Sequence, residues 1–182
     1  MRIKQSTINN PMNAYKKALV VIFLGYVLLL IETARGFPFQ LGQIRLDGLV
    51  PLVAWYGFQH SLPGGILTVL GLGILSEQMS AMPAGLYALA YTGEYLMIRY
   101  ILSHIVCAAA WQQMMLVSFL SIEVVAVLLI GSGAAELLWP WGFVQAFLNG
   151  VLVPFWFFIF DKVNSVISRE DMWCGVKEHS EV

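Results

Sequence analysis

The stretch that decides the fold is WGFVQAFLNGVLVPFWFFIFD, from Trp141 to Asp161. Its first 20 residues, ending at Phe160, carry no charge. A helix of that length, at about 1.5 Å per residue, crosses the roughly 30 Å of hydrocarbon in a bilayer. The stretch is therefore predicted to be a membrane-spanning helix that ends at Asp161 and Lys162.

The first half of this stretch has small residues at a spacing of four, namely Gly142, Ala146 and Gly150, with Gln145 and Asn149 beside them. Small residues let two helix backbones approach closely, and amides hydrogen-bond across such a contact. This half is predicted to pack against other helices of the protein.

The second half is almost wholly aromatic from Phe155 to Phe160. Trp156, Phe157 and Phe160 are expected to form an apolar surface that contacts either lipid or a partner protein. Pro154 separates the two halves, and because proline lacks an N–H donor and crowds the preceding turn, it predicts a kink.

The composition agrees with a membrane protein. Of 182 residues, 59% are hydrophobic and 12% charged, and the mean hydropathy is +0.75. Helices are predicted, giving an all-α polytopic fold, because lipid forces each backbone donor and acceptor to be satisfied internally. An apolar run after Lys17 could be a removable signal peptide. A retained span is favoured, since Glu32-Thr33-Ala34-Arg35 is a poor cleavage site.

The hydropathy pattern predicts six transmembrane helices, at about 17–31, 48–58, 65–75, 84–103, 111–130 and 141–160. They form a membrane domain at 16–162, between a cytoplasmic N-terminal segment at 1–15 and a cytoplasmic tail at 163–182. The second span is short, so it either begins near Leu41 or is tilted or partly re-entrant.

The basic residues predict the orientation. With an even number of spans, eight of the ten Lys and Arg residues collect on one side, leaving Arg35 and Arg45 on the other. The positive-inside rule then places both termini in the cytoplasm, for a multi-pass protein of the bacterial inner membrane.

Three charged residues fall within the predicted spans, at Glu94, Arg99 and Glu123. A charge at the centre of a span costs about 2.5–3.5 kcal/mol, so each needs a partner, water or a proton. Arg99 lies near the cytoplasmic end, where it can snorkel. Glu123 is predicted at the depth of Asn149, and we expect it to be protonated or hydrogen-bonded to Asn149 or Gln145. The alternative role is a proton relay or a substrate counter-charge.

No catalytic or metal-binding pattern accompanies these spans. The sequence contains no Gly-rich phosphate loop, no H-E-x-x-H, no paired-cysteine metal site and no G-x-S-x-G. The basic residues mostly flank spans, which does not suggest a nucleic-acid surface. A non-enzymatic protein without cofactor or metal is therefore expected.

Four segments in order resemble the MreD family, the rod-shape-determining proteins of the bacterial inner membrane. Asn149 to Val163 is similar to the family's last span, and Trp111-Gln112-Gln113 to the motif that opens the span before it. Arg45-Leu46-Asp47 is similar to an Arg-Pro-Asp-like entry to span two, with leucine where proline is common. Glu77 followed by Gly85 is similar to an acid and a glycine eight residues apart, with glutamate where aspartate is usual.

The resemblance implies a membrane scaffold of the cell-elongation complex that is not an enzyme. Its partners would be the MreC-like periplasmic scaffold and, through the complex, MreB, RodA and a penicillin-binding transpeptidase. The fold is also similar to the six-helix substrate-binding subunits of energy-coupling-factor transporters, an analogy that transfers no ligand. The alternative function is a small-molecule-binding transporter subunit, with a central pocket lined by Glu94, Glu123, Asn149 and the span-three glycines Gly71 and Gly73.

Overall fold

The structure is a computed structural model that describes residues 11–33, 40–41, 44–45, 47–59, 64–80, 83–105, 109–133 and 135–178. For 11–14, 16, 40–41, 44–45, 132, 135–140 and 167–178 it describes the backbone only. Most of the predicted N-terminal segment and the turn at 60–63 therefore lie outside the described residues.

The described chain is a bundle of six helices. They are α1 Pro11–Thr33, α2 Leu49–Gln59, α3 Gly64–Met79, α4 Leu86–His104, α5 Ala110–Ser132 and α6 Ala135–Glu178. Between α1 and α2, the two-residue strands β1 (Gln40–Leu41) and β2 (Ile44–Arg45) pair antiparallel. The prediction of an all-α fold is confirmed. Span two does not begin near Leu41, because that residue belongs to β1.

Two glycines with left-handed backbone set helix ends. Gly85 has φ 91° directly before α4, and Gly133 has φ 71° directly after α5. Side chains other than glycine rarely adopt this conformation, so glycine is the residue expected at both points.

The sixth helix differs from its prediction at both ends. It begins at Ala135, six residues before Trp141, and it continues past Asp161 and Lys162 to Glu178. A charged pair ends a hydrophobic stretch but does not end a helix, because Asp and Lys are tolerated in helical backbone. The part of the predicted tail up to Glu178 is therefore helical.

The short helix α2 forms the centre of the bundle. Its residues from Leu49 to Gly57 are all buried, and it packs mainly against α4 and α6. Pro51 lies in its first turn, where a missing N–H donor costs no helical hydrogen bond.

Small residues allow the closest helix contacts. A Cβ atom at Gly150 would overlap the Ser118 side chain, and one at Gly142 would meet Val125, while Ala146 between them is fully buried. The predicted packing of this face is confirmed, and α5 and α6 run antiparallel. On α3, Gly73 lies against the backbone of Ala88 in α4.

The bundle has two ends, which are named here by their contents. Lys17 of α1 and Asn164 of α6 line one cleft at the end we call the terminal end. At the opposite end, the cavity end, α1 finishes, α2 begins, α3 finishes, α4 begins, α5 finishes and α6 begins.

Two helical segments among the described residues are long and apolar enough to cross a membrane, Ala110–Gly131 and Trp141–Val166. Gly64–Met79 is apolar but shorter, and the 11 residues of α2 extend only about 16 Å. By length and composition alone, two of the six helices meet the requirement for a membrane span, and the prediction that six do is too high.

The α3–α4 contact provides a test of the packing. In Gly73→Ala the new methyl group would overlap the backbone N and Cα of Ala88, so we expect a loss of about 1–3 kcal/mol in unfolding free energy. Gly71→Ala is the matched control, because its Cβ would meet only Ile22 Cδ1 at 3.8 Å. That change should be neutral or slightly stabilising. Denaturant titration in detergent micelles measures both, and equal effects would contradict the close contact.

Candidate functional site

All six helices line a cavity of about 270 Å³ at the cavity end. Its polar lining residues are Glu32, Asp47, Ser76, Ser80, Tyr87, Tyr91 and Gln145, and its apolar ones include Leu29, Leu49, Leu128 and Leu129. Two predicted site residues, Asp47 and Gln145, are thus brought together although they are 98 positions apart. The transporter alternative predicted a pocket lined by Glu94, Glu123, Asn149, Gly71 and Gly73. None of these residues lines the observed cavity, so the predicted pocket was in the wrong place.

Two carboxylates of this cavity also close the start of α2. The Gly48 N–H donates to Glu32 Oε1 at 2.6 Å, and the Leu49 N–H donates to Asp47 Oδ1 at 2.9 Å. The first N–H groups of a helix have no partner within the helix, and negative charge there is favourable. The Tyr91 hydroxyl donates to Asp47 Oδ2 at 3.4 Å. The loop is therefore held by the same acids that line the cavity.

Glu77 lies in the last turn of α3, not in the turn where it was predicted, and it closes the start of α4. The Ala88 N–H donates to Glu77 Oε1 at 3.0 Å. Gly85, in its left-handed conformation, provides no side-chain cap for this helix. Donation by the backbone N–H groups of Ala88 and then Gly85 lowers the pKa of Glu77. The acid and the glycine eight residues apart thus have a structural role at one turn.

Several buried polar atoms lie deeper in the bundle. Glu94 is fully buried, and neither of its carboxylate oxygens has a hydrogen-bond partner among the described residues. Among the residues that the structure describes, Thr92 Oγ1 and Ser121 Oγ also lack hydrogen-bond partners. Buried polar groups are normally hydrogen-bonded, so this unsatisfied set is unusual.

The predicted bond from Glu123 to Asn149 or Gln145 is wrong. Asn149 Nδ2 and Glu123 Oε2 have no partner among the described residues, and no hydrogen bond there joins Glu123 to Gln145. Glu123 Oε1 instead lies against Gly93 of α4. The error came from the helix start: α6 begins at Ala135, so Asn149 lies at the level of Ser118. That position is about 7.5 Å along α5 from Glu123.

At the terminal end, Asp161 connects α6 to α2. Its Oδ1 accepts hydrogen bonds from Trp55 Nε1 at 2.8 Å and from Gln59 Nε2 at 2.9 Å. Asn164 Nδ2 donates to Gln59 Oε1 at 3.4 Å. Asp161, predicted only to stop a span, is therefore a polar contact between two helices.

Arg99 has a specific contact at the same end. Its Nη1 donates to the backbone oxygen of Gly57 at 3.3 Å. Gly57 belongs to the last turn of α2, whose carbonyl groups lack partners within the helix. Arg99 therefore closes the end of α2. The sequence predicted that Arg99 reaches toward the membrane surface, but it did not predict this contact with α2.

The aromatic residues predicted to form a contact surface face into the bundle. Trp156 stacks on Phe160 with ring centroids 5.6 Å apart, and Phe157 meets Phe58 edge-on at 5.7 Å. Phe160 is almost fully buried. The prediction for these three residues is wrong, because the helical register turns Phe155 and Phe158 outward instead.

The remaining predicted site residues lie apart from the cavity. Trp111 is exposed in the first turn of α5, and the Ala109 N–H donates to Gln112 Oε1 at 3.1 Å, which closes that helix start. Gln113 is half-buried on the next position. Pro154 is exposed, and α6 continues as a helix on both sides of it. Arg45 pairs with Gln40 through the backbone, and its side chain lies outside the described residues.

Sequence reasoning did not select Glu32, Tyr87 or Tyr91 of the cavity. Glu32 lies one residue beyond the predicted first span at 17–31, and both tyrosines lie inside the predicted fourth span at 84–103. A signal was present in the sequence, because Glu32 and Asp47 flank the first loop and Tyr87 and Tyr91 are one helical turn apart.

Comparison with models of protein families, with curated proteins and with solved structures gives no match to this chain.

Glu77 provides a test by pH, since it lies beyond Leu75, the predicted end of span three. Because its folded-state pKa is lowered from the ordinary 4.5, the ionised group stabilises the fold above that value, and this contribution is lost as pH falls through the folded pKa. Glu77→Gln should cost about 0.5–1 kcal/mol at pH 7. The cost should shrink as the pH is lowered from 7 to below 4.5.

The measurement is thermal unfolding of both proteins across this pH range, with Gln78→Ala as control on the exposed neighbour. The control should parallel the wild type at each pH. A constant difference between Glu77→Gln and the wild type would contradict the ionised cap.

Proposed function

We propose that this chain is a non-enzymatic membrane scaffold of the MreD type in the bacterial cell-elongation complex. It binds a single-span, MreC-like protein within the bacterial inner membrane. Through that protein it connects to MreB, RodA and a penicillin-binding transpeptidase.

The proposal is supported first by the distribution of charge between the two ends. Three basic residues, Lys17, Arg99 and Lys162, belong to the terminal end together with one acid, Asp161. Three acids, Glu32, Asp47 and Glu77, belong to the cavity end. Lys and Arg favour the cytoplasmic side of a membrane. Placing the terminal end in the cytoplasm puts the start of α1 and the far part of α6 there together.

The observation that carries the proposal is an exposed aromatic face on α6. Phe147, Phe155 and Phe158 are 65%, 57% and 70% exposed. Together with Val151 they recur at the three- and four-residue spacing of one helix face. Aromatic side chains are frequent anchors of protein interfaces. We assign this face, in place of Trp156, Phe157 and Phe160, to the single-span partner.

The transporter alternative requires a ligand pocket, and the cavity at the opposite end is the feature that favours it. Because of this cavity, a ligand-binding transporter subunit is the second candidate function. The α6 face distinguishes the two, because a transporter subunit of that type has no need of an MreC-like helix there.

The α6 face can be tested by substitutions that preserve hydrophobicity. The double variant Phe147→Leu, Phe158→Leu should reduce co-purification of the MreC-like protein at least tenfold, because aromatic anchors contribute about 1–2 kcal/mol each. The matched control is Phe23→Leu, Tyr26→Leu, which changes two exposed aromatic residues on α1. It should leave co-purification unchanged.

Photocrosslinking gives an independent measurement of the same contact. A photoreactive residue at position 147 or 158 should crosslink the MreC-like protein in cells, and one at the buried position 160 should not. If the α6 double variant retains the partner as well as the α1 control does, the face contacts lipid only and the assignment is wrong.

A further inference from the structure

Glu94 is a buried acid that has no part in the proposed scaffold. It lies on the buried face of α4, and 0% of its surface is exposed. Neither Oε1 nor Oε2 has a hydrogen-bond partner among the described residues. A carboxylate in such a place loses its hydration and gains no bond in return, so its charge must be neutralised. Ionisable residues inside a membrane segment are expected to be functional for this reason.

No basic group lies opposite Glu94. Among the residues that the structure describes, the charged groups that act on it electrostatically are Asp47, in the loop before α2, and Glu123 of α5, and both are acids. The described residues of α1, α3 and α6 add no charge to this set. Tyr91, its neighbour on α4, is the third titratable group that interacts with it. Arg99 lies farther along α4 and donates to the end of α2 instead.

The chemistry of the surroundings selects the neutralising species. A metal ion has no suitable donor set, since no group of three His, Cys, Asp or Glu side chains among the described residues could hold one. A proton needs neither a cavity nor a set of ligands. With a proton bound, the carboxyl group is a neutral donor and acceptor, which an apolar interior accepts far more readily than a charge.

The position of Glu94 gives it access to water. Tyr91 lies one helical turn before it on the buried face of α4 and lines the cavity. Glu94 therefore lies one turn deeper than the cavity lining, toward the terminal end. The cavity volume of about 270 Å³ has room for several water molecules.

We propose that Glu94 is a proton-binding site, occupied at neutral pH and reached by water from the cavity. In the binding step a hydronium ion in the cavity transfers a proton to one oxygen of Glu94 and becomes water, and the carboxylate becomes a neutral acid. This inference depends on the interior of the bundle and is independent of the α6 face.

Infrared spectroscopy detects such a proton directly, because a protonated carboxyl group has a C=O band that a carboxylate lacks. The full chain in an ester-free detergent should show this band at pH 7, although an exposed glutamate, with a pKa of about 4.3, is almost entirely ionised there. Transfer to D2O should move the band to lower frequency, because deuterium replaces the acidic hydrogen when solvent reaches the group.

The variants assign the band to one residue. Glu94→Gln should abolish it, because an amide keeps the shape of the neutral acid without the acidic proton. The melting temperature should stay close to that of the wild type, since one neutral group replaces another. The matched control is Glu123→Gln, which changes the half-buried acid of α5 and should leave the Glu94 band in place.

If Glu94→Gln does not fold, the Glu123→Gln protein labelled with ¹³C in its glutamate side-chain carboxyl groups gives the answer, because the label should shift the band. The proposal is wrong if the wild type lacks the band at pH 7, if the band does not move in D2O or with the label, or if it is lost in Glu123→Gln and kept in Glu94→Gln. None of these results bears on the capture of an MreC-like protein by α6.

Discussion

The need to satisfy backbone groups at the ends of helices is the constraint on which this structure depends. A helix leaves its first N–H groups and its last carbonyl groups unpaired, and in an apolar environment each such group is costly. The problem is greatest for α2, which is only 11 residues long and buried from Leu49 to Gly57. Only Gln59, its last residue, is exposed.

Other helices solve this problem for α2. Glu32 at the end of α1 accepts from Gly48, and Arg99 of α4 donates to the carbonyl of Gly57. Asp161 of α6 accepts hydrogen bonds from two side chains in the last turns of α2, Trp55 and Gln59. Glu77 does the same for α4 from the end of α3. The acids of the cavity end are therefore structural groups first, and the chemistry of the cavity results from where the helix starts had to be closed.

Much of the fold could be predicted from the sequence. Four helices, α2 to α5, begin and end within a few residues of their predicted positions, because glycines, prolines and charges mark those boundaries. The predicted start and end of α6 were wrong, because the sequence has no reliable boundary signal at either place. Its start is hidden by an apolar connection, and the charged pair at Asp161 does not end it. The error at the start then shifted the predicted depth of Asn149 relative to Glu123.

The candidate site was less predictable for a different reason. Which way Trp156 or Phe158 faces depends on the neighbours of α6, and an all-apolar helix has no polar side to reveal its orientation. The cavity likewise requires Asp47 of the loop before α2, Tyr91 of α4 and Gln145 of α6 to meet. Sequence spacing within one helix contains no information about such a meeting.

The length of α6 has a mechanical consequence. Its 44 residues extend about 66 Å, roughly twice the hydrocarbon thickness of a bilayer. The first part of this continuous helix packs on α5, and the remainder, its far arm, begins beyond Asp161. Force on the far arm would be transmitted first to Trp55 and Gln59 of α2, through the carboxylate that joins them. A displacement of the far part of α6 would thereby reach the centre of the bundle.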